Sequence, residues 1–95
     1  MGIPDIIKIG GIPYTVIQEE RWQHGASNIA ASCTDISTII LEKTVPTPIK
    51  EEALLHEIIE VLDKHYDLKL DHQAISALGH GLYQVIADNR LYFGS

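Results

Sequence analysis

Residues 51–62, with the sequence EEALLHEIIEVL, constrain the fold more than any other stretch, because their apolar side chains recur at helical spacing. The middle of this stretch reads His-Glu-x-x-Glu. Residues four positions apart lie on the same face of an α-helix, so His56 and Glu60 project side by side and can bind one metal ion. Glu57 follows His56 directly and places a second carboxylate beside that ion, where a base can take a proton from water. The stretch therefore predicts an amphipathic helix with a metal site on one face.

This motif differs from the better known zinc-binding signature H-E-x-x-H at one position, since Glu60 stands where the second histidine would be. A carboxylate oxygen also binds zinc, so the exchange is compatible with a metal site. The alternative is a solvent-exposed helix face on which these side chains bind nothing. A catalytic zinc site has three protein ligands, so the prediction of Zn2+ requires a further ligand elsewhere in the chain.

The composition limits the class of protein. With 95 residues, 45% of them apolar and 21% charged, the chain is typical of a single small globular domain, residues 1–95. A formal net charge of −6 argues against nucleic-acid binding, which requires clustered Lys and Arg. No apolar run has the length of a membrane span, and the amino terminus lacks the features of a signal peptide. The single cysteine, Cys33, cannot form an internal disulfide, which agrees with a reducing compartment, so we predict a cytoplasmic protein. From its charge and its lack of a long apolar run, we predict that it binds neither nucleic acid nor membrane.

The first half of the chain, residues 1–45, is predicted to be rich in β-structure. Isoleucines and other β-branched residues alternate on both sides of Gly10-Gly11, which is a two-residue turn signal because both glycines can take positive φ. A second, less clearly marked hairpin is predicted around Asp35-Ile36. The predicted strands are residues 5–9, 12–19, 28–34 and 37–42.

The second half, residues 46–89, predicts two helices, at residues 48–66 and 71–87. Thr47 is predicted to cap the first helix, Pro48 suits its first position, and Asp71 is predicted to cap the second. We therefore predict an α+β domain in which two N-terminal β-hairpins form a small antiparallel sheet, followed by two C-terminal helices.

Each predicted helix has an apolar stripe that we expect to be buried. Two glycines, Gly79 and Gly81, weaken the second helix by about 1 kcal/mol each relative to alanine, so they are predicted to allow a close approach. The predicted stripes are Leu55, Ile58, Ile59 and Leu62 in the first helix, and Ile75, Leu78, Leu82, Val85 and Ile86 in the second.

The third metal ligand is not determined by spacing alone. His65 falls nine positions after His56 and faces the other side of the helix, and His24 lies in a loop that the sequence does not place. If the connection between the helices runs back extended, His72 arrives beside the motif. If the helices form a plain hairpin with a tight turn, His80 is the closer residue. Both histidines remain candidates at this point.

Three segments of the second half resemble a known family. They are LLHEIIE at residues 54–60, LDHQAISAL at residues 70–78 and GLYQVIADN at residues 81–89. They resemble the small zincin-like metallopeptidases encoded by bacteriophages and prophages. In that family a β-rich half opening with an Ile-Gly-Gly turn precedes an H-E-x-x-H or H-E-x-x-E helix and a closing helix that ends in Leu-Tyr-Gln-Val. The resemblance covers nearly the whole chain and is strongest in residues 54–89.

The resemblance implies a zinc-dependent hydrolase of minimal size that acts on a peptide or protein. It implies that His56 and Glu60 are zinc ligands and that Glu57 is the general base. A histidine at the position of His72 accompanies the H-E-x-x-E form, so the resemblance favours His72 over His80 as the third ligand.

Two hypotheses on function follow from the sequence. In the first, zinc activates water for attack on a peptide carbonyl, and a strand edge near residues 37–42 holds an extended peptide substrate by backbone pairing. In the second, the domain is a catalytically inactive binding or regulatory module that keeps the zincin-like scaffold. The second has a physical basis, because replacing a neutral imidazole by a carboxylate lowers the charge of the site and makes zinc-bound water less acidic.

Overall fold

The computed structural model describes residues 2–20, 31–34 and 37–94. In the described part of the chain, neither helix combines the length and the apolar character needed to cross a membrane. The α+β class, with two hairpins followed by two helices, is confirmed. The predictions for His24, for the turn at Asp35-Ile36 and for residues 28–30 lie outside the described residues. The elements are β1 (Ile6–Ile9), β2 (Ile12–Glu19), β3 (Ala31–Thr34), β4 (Thr38–Glu42), α1 (Thr47–Tyr66) and α2 (His72–Asn89).

The first hairpin forms as predicted. Gly10 and Gly11 have φ values of +59° and +81°, a combination that glycine adopts at little cost and that matches the twist of a two-residue hairpin. Ile9 then pairs with Ile12, and β1 and β2 run antiparallel.

The sheet is mixed rather than wholly antiparallel, which corrects part of the prediction. Its strand order is β1-β2-β4-β3, and β2 pairs with β4 in parallel, with Val16 opposite Ile39. The reason is burial. The strand β4 carries Ile39 and Leu41, both fully buried, and an inner position gives this strand neighbours on both sides. The chain reaches this position because the second hairpin joins the first through its later strand.

The strand-edge prediction for residues 37–42 is therefore wrong. The strand β4 uses both of its edges, pairing with β2 on one side and with β3 on the other. A continuous apolar run is typical of a strand in the interior of a sheet. The sequence of β4 therefore did not require a position at the edge.

The helix α1 packs on the sheet through a stripe that differs from the predicted one. Leu54 and Val61 are buried in the core with strand residues, and Ile59 is also buried. The predicted residues Ile58 and Leu62 are half-buried and pack against this core, and Leu55 is half-buried. The difference arises because α1 is covered on two sides, by the sheet and by α2. A single stripe cannot describe a helix that has two covered faces.

The two helix starts differ in their capping. The helix α1 begins at Thr47, after Pro46, whose carbonyl accepts hydrogen bonds from the backbone N–H groups of Ile49 and Lys50. Thr47 is thus inside the helix and makes no side-chain cap, which corrects the prediction. The cap of α2 is confirmed, because the Asp71 carboxylate accepts a hydrogen bond from Ala74 N at 2.7 Å.

The helix α2 packs on α1, and one of its two glycines explains how. A Cβ atom at Gly79 would lie 3.4 Å from Cα of His56, whereas a Cβ atom at Gly81 would meet nothing within 4 Å. The predicted close approach is therefore confirmed for Gly79 and wrong for Gly81. Of the predicted stripe, Ile75 is buried, and the prediction of burial fails for Leu78, Leu82, Val85 and Ile86, which are exposed. It fails because α2 covers α1 with one narrow side.

Candidate metal centre

Three side chains of the kinds that bind zinc meet where α2 begins beside α1. His56, Glu60 and His72 each offer one ligand atom, and these atoms all lie within 4.8 Å of one another. His56 Nε2 lies 3.7 Å from Glu60 Oε1, and the imidazole rings of His56 and His72 are 5.2 Å apart. The structure thus brings together the residues that the sequence singled out as ligands.

Helix geometry and helix packing both contribute to this convergence. His56 and Glu60 lie four positions apart on α1, which places them on one face. His72 is the first residue of α2, so the start of that helix delivers its imidazole to the site. Gly79 lets the backbone of α2 approach His56 closely one to two turns further along.

The connection between the helices is held by one aspartate. Asp67 ends α1 with a left-handed backbone, φ +52°, and its N–H donates to the carbonyl oxygen of Asp63. Leu68 N donates to the same carbonyl at 3.1 Å, and Leu70 N donates to the Asp63 carboxylate at 2.8 Å. Asp63 therefore accepts three hydrogen bonds from the connection, which fixes the path that leads to His72.

The other α2 histidine lies elsewhere. His80 Nδ1 is 3.2 Å from Glu52 Oε1, and its side chain is 77% exposed. Glu52 lies one turn before His56 on α1, so His80 contacts α1 one turn away from the metal candidates. The geometry therefore brings His72, and not His80, to the motif.

His65 is also separate from the candidate site. A Cβ atom at Gly10 would lie 2.7 Å from His65 Nε2, so this imidazole packs over the first hairpin turn. Its ring also stands edge-on to Tyr66, with 4.7 Å between the ring centres. The prediction that His65 faces away from His56 agrees with this position.

A neighbouring hydroxyl can orient the exposed third candidate. Ser76 lies one turn after His72 on α2, and its Oγ is 3.4 Å from His72 Nε2. A hydrogen bond to one ring nitrogen sets the tautomer and the direction of the other, which is the usual role of a group next to a ligating histidine. Ser76 is a residue that the sequence analysis did not single out, although its spacing from His72 indicates it.

The donor set fits zinc chemistry. Two imidazole nitrogens and one carboxylate oxygen are the ligand set of one common type of catalytic zinc site. Ligands about 2.1 Å from a tetrahedral ion stand about 3.4 Å apart, so the 3.7 Å between His56 and Glu60 needs little adjustment. Ligand atoms that are further apart, up to the 4.8 Å limit, must move by about 1 Å through side-chain rotation. The two α1 side chains are half-buried and His72 is exposed, so the site is open to solvent on one side.

Glu57 occupies a different environment from the three candidates. Its side chain is only 4% exposed, and it lies between Leu54 and Val61 in the series of α1 residues that face the sheet. Glu57 makes polar contacts in the structure, so its carboxyl group is not isolated. The sequence placed Glu57 next to the ion from helix position alone and did not predict this burial.

A second buried glutamate lies at the end of β4. Glu42 is fully buried, and its carboxylate accepts hydrogen bonds from the backbone N–H of Thr44 at 3.2 Å and from its hydroxyl at 2.6 Å. From the sequence, Glu42 is only the last residue of a predicted strand. The available signal was an acidic residue at the end of an apolar run and two positions before a threonine.

Tyr83 joins the two helices away from the candidate site. Its hydroxyl donates to Glu51 Oε1 at 2.6 Å. This hydrogen bond to a carboxylate, together with burial and the nearby negative charges, raises the pKa of Tyr83 to about 12. Tyr83 therefore links α2 to α1 through its hydroxyl group.

Comparisons with protein families, with curated proteins and with solved structures give no match. The function is therefore inferred from the residues and the geometry of the site itself.

Proposed function

We propose that this protein is a zinc-dependent hydrolase, of the metallopeptidase type, that cleaves a peptide or protein substrate. The observation that supports it is the convergence of His56, Glu60 and His72, whose ligand atoms lie within 4.8 Å of one another. The resemblance of residues 54–89 to small zincin-like phage enzymes points to the same chemistry.

The three convergent side chains would hold the ion, two through imidazole nitrogen and one through carboxylate oxygen. Zinc bound in such a site polarises a carbonyl group and lowers the pKa of water. Glu57 would take the proton of the attacking water and pass it to the leaving amine. For this role its carboxylate, which lies one helical position from His56, needs access to water on the side of the site.

For substrate binding we propose β3 in place of β4, because β4 pairs with a strand on both sides. The strand β3 stands last in the strand order, beyond β4, and it packs near α1. An extended peptide that pairs with an outer strand gains backbone hydrogen bonds without depending on a particular side chain. We therefore expect the scissile bond to lie between the outer edge of β3 and the metal candidates on α1.

Metal content and peptidase activity, measured on the same preparation, test this function. Protein purified without chelator should contain about one zinc per chain and should cleave unstructured protein substrates, with both properties lost after EDTA treatment. Activity that survives complete removal of metal would exclude a zinc hydrolase.

A second candidate is a binding module that holds zinc without turnover. The burial of Glu57 favours it, because a general base that is 4% exposed and engaged in polar contacts is poorly placed to exchange protons with water. The carboxylate ligand Glu60 favours it too, since it offsets part of the zinc charge. Stoichiometric zinc together with no hydrolysis of any tested protein substrate would support this module over the enzyme.

A further inference from the structure

One face of α2 is apolar and free of charge, and its two large side chains are exposed. We call it the α2 stripe, and it consists of Ala74, Leu78, Gly81 and Val85. Spacings of four, three and four residues keep these positions on one side of the helix, about 120° away from the residues that contact α1. Leu78 and Val85 are 44% and 42% exposed, and the adjacent Leu82 is 45% exposed.

We propose that the α2 stripe pairs with the α2 stripe of a second copy of this chain, antiparallel, to form a symmetric dimer. The distribution of charge along the chain favours this pairing. Residues 72–87 contain no Asp, Glu, Lys or Arg, although 21% of the chain is charged and its net charge is −6. Two copies of an acidic protein repel each other, so a face that carries no charge of its own is the most favourable one for self-association. The α2 stripe is such a face.

The shape of the α2 stripe also favours this pairing. When two α2 helices run antiparallel about a centre between Gly79 and His80, position 78 faces position 81 and position 74 faces position 85. Leu78 of each copy then meets Gly81 of the other, and Ala74 meets Val85. Every layer pairs a large side chain with a small one, as facing core positions of antiparallel coiled coils do. The stripe is therefore complementary to itself.

Within the described part of the chain, Gly81 contacts nothing that requires a glycine. A Cβ atom at this position would meet nothing within 4 Å, whereas Gly79 is needed for contact with α1. Glycine inside a helix is unfavourable relative to alanine, so Gly81 weakens α2 without an intramolecular compensation in the described structure. The second copy supplies the compensation, because Gly81 receives Leu78 of that copy.

The size of the stripe and the charges at its ends predict a weak dimer. An 18-residue helix is about 27 Å long, and one face of it buries less area than a standard protein interface. The same antiparallel arrangement brings Asp71 near Asp88 of the other copy at both ends. We therefore expect a dissociation constant in the micromolar range that falls as salt screens these charges.

Sedimentation equilibrium in buffer containing EDTA tests the dimer independently of the zinc site. Wild-type protein should be a monomer at about 1 µM and largely dimeric at about 1 mM, with tighter association at higher salt. Leu78→Glu should weaken association by at least about 100-fold. Gln73→Glu is the matched control, because it adds the same charge to an exposed position of α2 outside the stripe and should associate like wild type.

Two results would overturn the proposal. Wild-type protein that stays monomeric up to about 1 mM has no self-association of the expected strength. Leu78→Glu that associates as wild type does would place any dimer contact elsewhere. Because EDTA removes zinc, neither result bears on the hydrolase.

Disulfide trapping tests the register. In a Cys33→Ser background, Leu78→Cys and Gly81→Cys are prepared separately and mildly oxidised alone and as a mixture. The proposed layers place position 78 against position 81 of the other copy, so the mixture should cross-link faster than either variant alone. Faster cross-linking of the separate variants would show a parallel or shifted pairing and would contradict the antiparallel dimer.

Discussion

Gly79 in α2 lies directly against the backbone of His56 in α1. A Cβ atom at position 79 would be 3.4 Å from Cα and 3.5 Å from N of His56. This close contact lets the start of α2 bring His72 to the metal candidates on α1. The distance between the helices at Gly79 therefore controls the geometry of the candidate site.

We expect Gly79→Leu to separate the two helices. The larger side chain has no space against the His56 backbone, so the free energy of unfolding should fall by about 1–3 kcal/mol and zinc should bind more weakly. Ala77→Leu is the matched control, because position 77 is exposed on the same helix and should change stability by less than about 0.5 kcal/mol. Chemical denaturation and zinc titration measure the two effects. Unchanged zinc binding in Gly79→Leu would show that the distance between the helices does not control the geometry of the candidate site.

Asp63 should determine how the chain enters α2. Asp63→Ala removes the carboxylate that accepts the hydrogen bond from Leu70 N, and we expect it to cost about 1–2 kcal/mol of stability and to weaken zinc binding. Asp63→Asn keeps an oxygen acceptor and should restore most of both properties. A variant Asp63→Ala that binds zinc as tightly as wild type would show that His72 is positioned by helix packing alone.

The sequence predicted the local elements well and the long-range pairings poorly. The Gly10-Gly11 turn and the Asp71 cap were predictable, because each depends on a residue's own conformational preference or hydrogen bonding. The parallel pairing of β2 with β4 was not, because it depends on which strand gains most from an inner position. The same limit applied to the third ligand. The choice between His72 and His80 depends on the path that Asp63 imposes on the connection, and helix periodicity does not contain that path.

The Tyr83 hydrogen bond predicts a change of stability at high pH. The pKa of Tyr83 is about 12 in the folded protein, whereas its ordinary value, which applies to the unfolded chain, is 10.0. As the pH rises, the unfolded chain therefore loses this proton first. The contribution of Tyr83 to stability is therefore complete below pH 10 and is lost as the pH rises towards 12. Tyr83→Phe should be less stable than wild type at neutral pH by about 1 kcal/mol and should lack this part of the decline.

The control for this prediction is Tyr66→Phe, which removes the hydroxyl of an exposed tyrosine. It should keep the wild-type decline between pH 10 and 12, measured by denaturant unfolding at each pH. If Tyr83→Phe and wild type lose stability in parallel over this range, the hydrogen bond to Glu51 does not contribute to the pH dependence.

Glu57→Gln separates catalysis from metal binding. The amide has nearly the shape of the carboxylate but cannot take a proton, so hydrolysis should fall by at least about 100-fold while zinc content stays at the wild-type level. The fold should be retained, as measured by circular dichroism and thermal melting. Hydrolysis at the wild-type rate in this variant would remove Glu57 from the mechanism.

Zinc binding by wild type, His72→Ala and His80→Ala is the most direct measurement of the central claim. The two variants remove the same side chain from exposed positions of the same helix, but only His72 lies with His56 and Glu60. We predict that saturating zinc raises the melting temperature of wild type and of His80→Ala by about 10 °C, and that His72→Ala loses most of this increase. Equal responses of the two variants, or no response of the wild-type protein to zinc, would contradict the account.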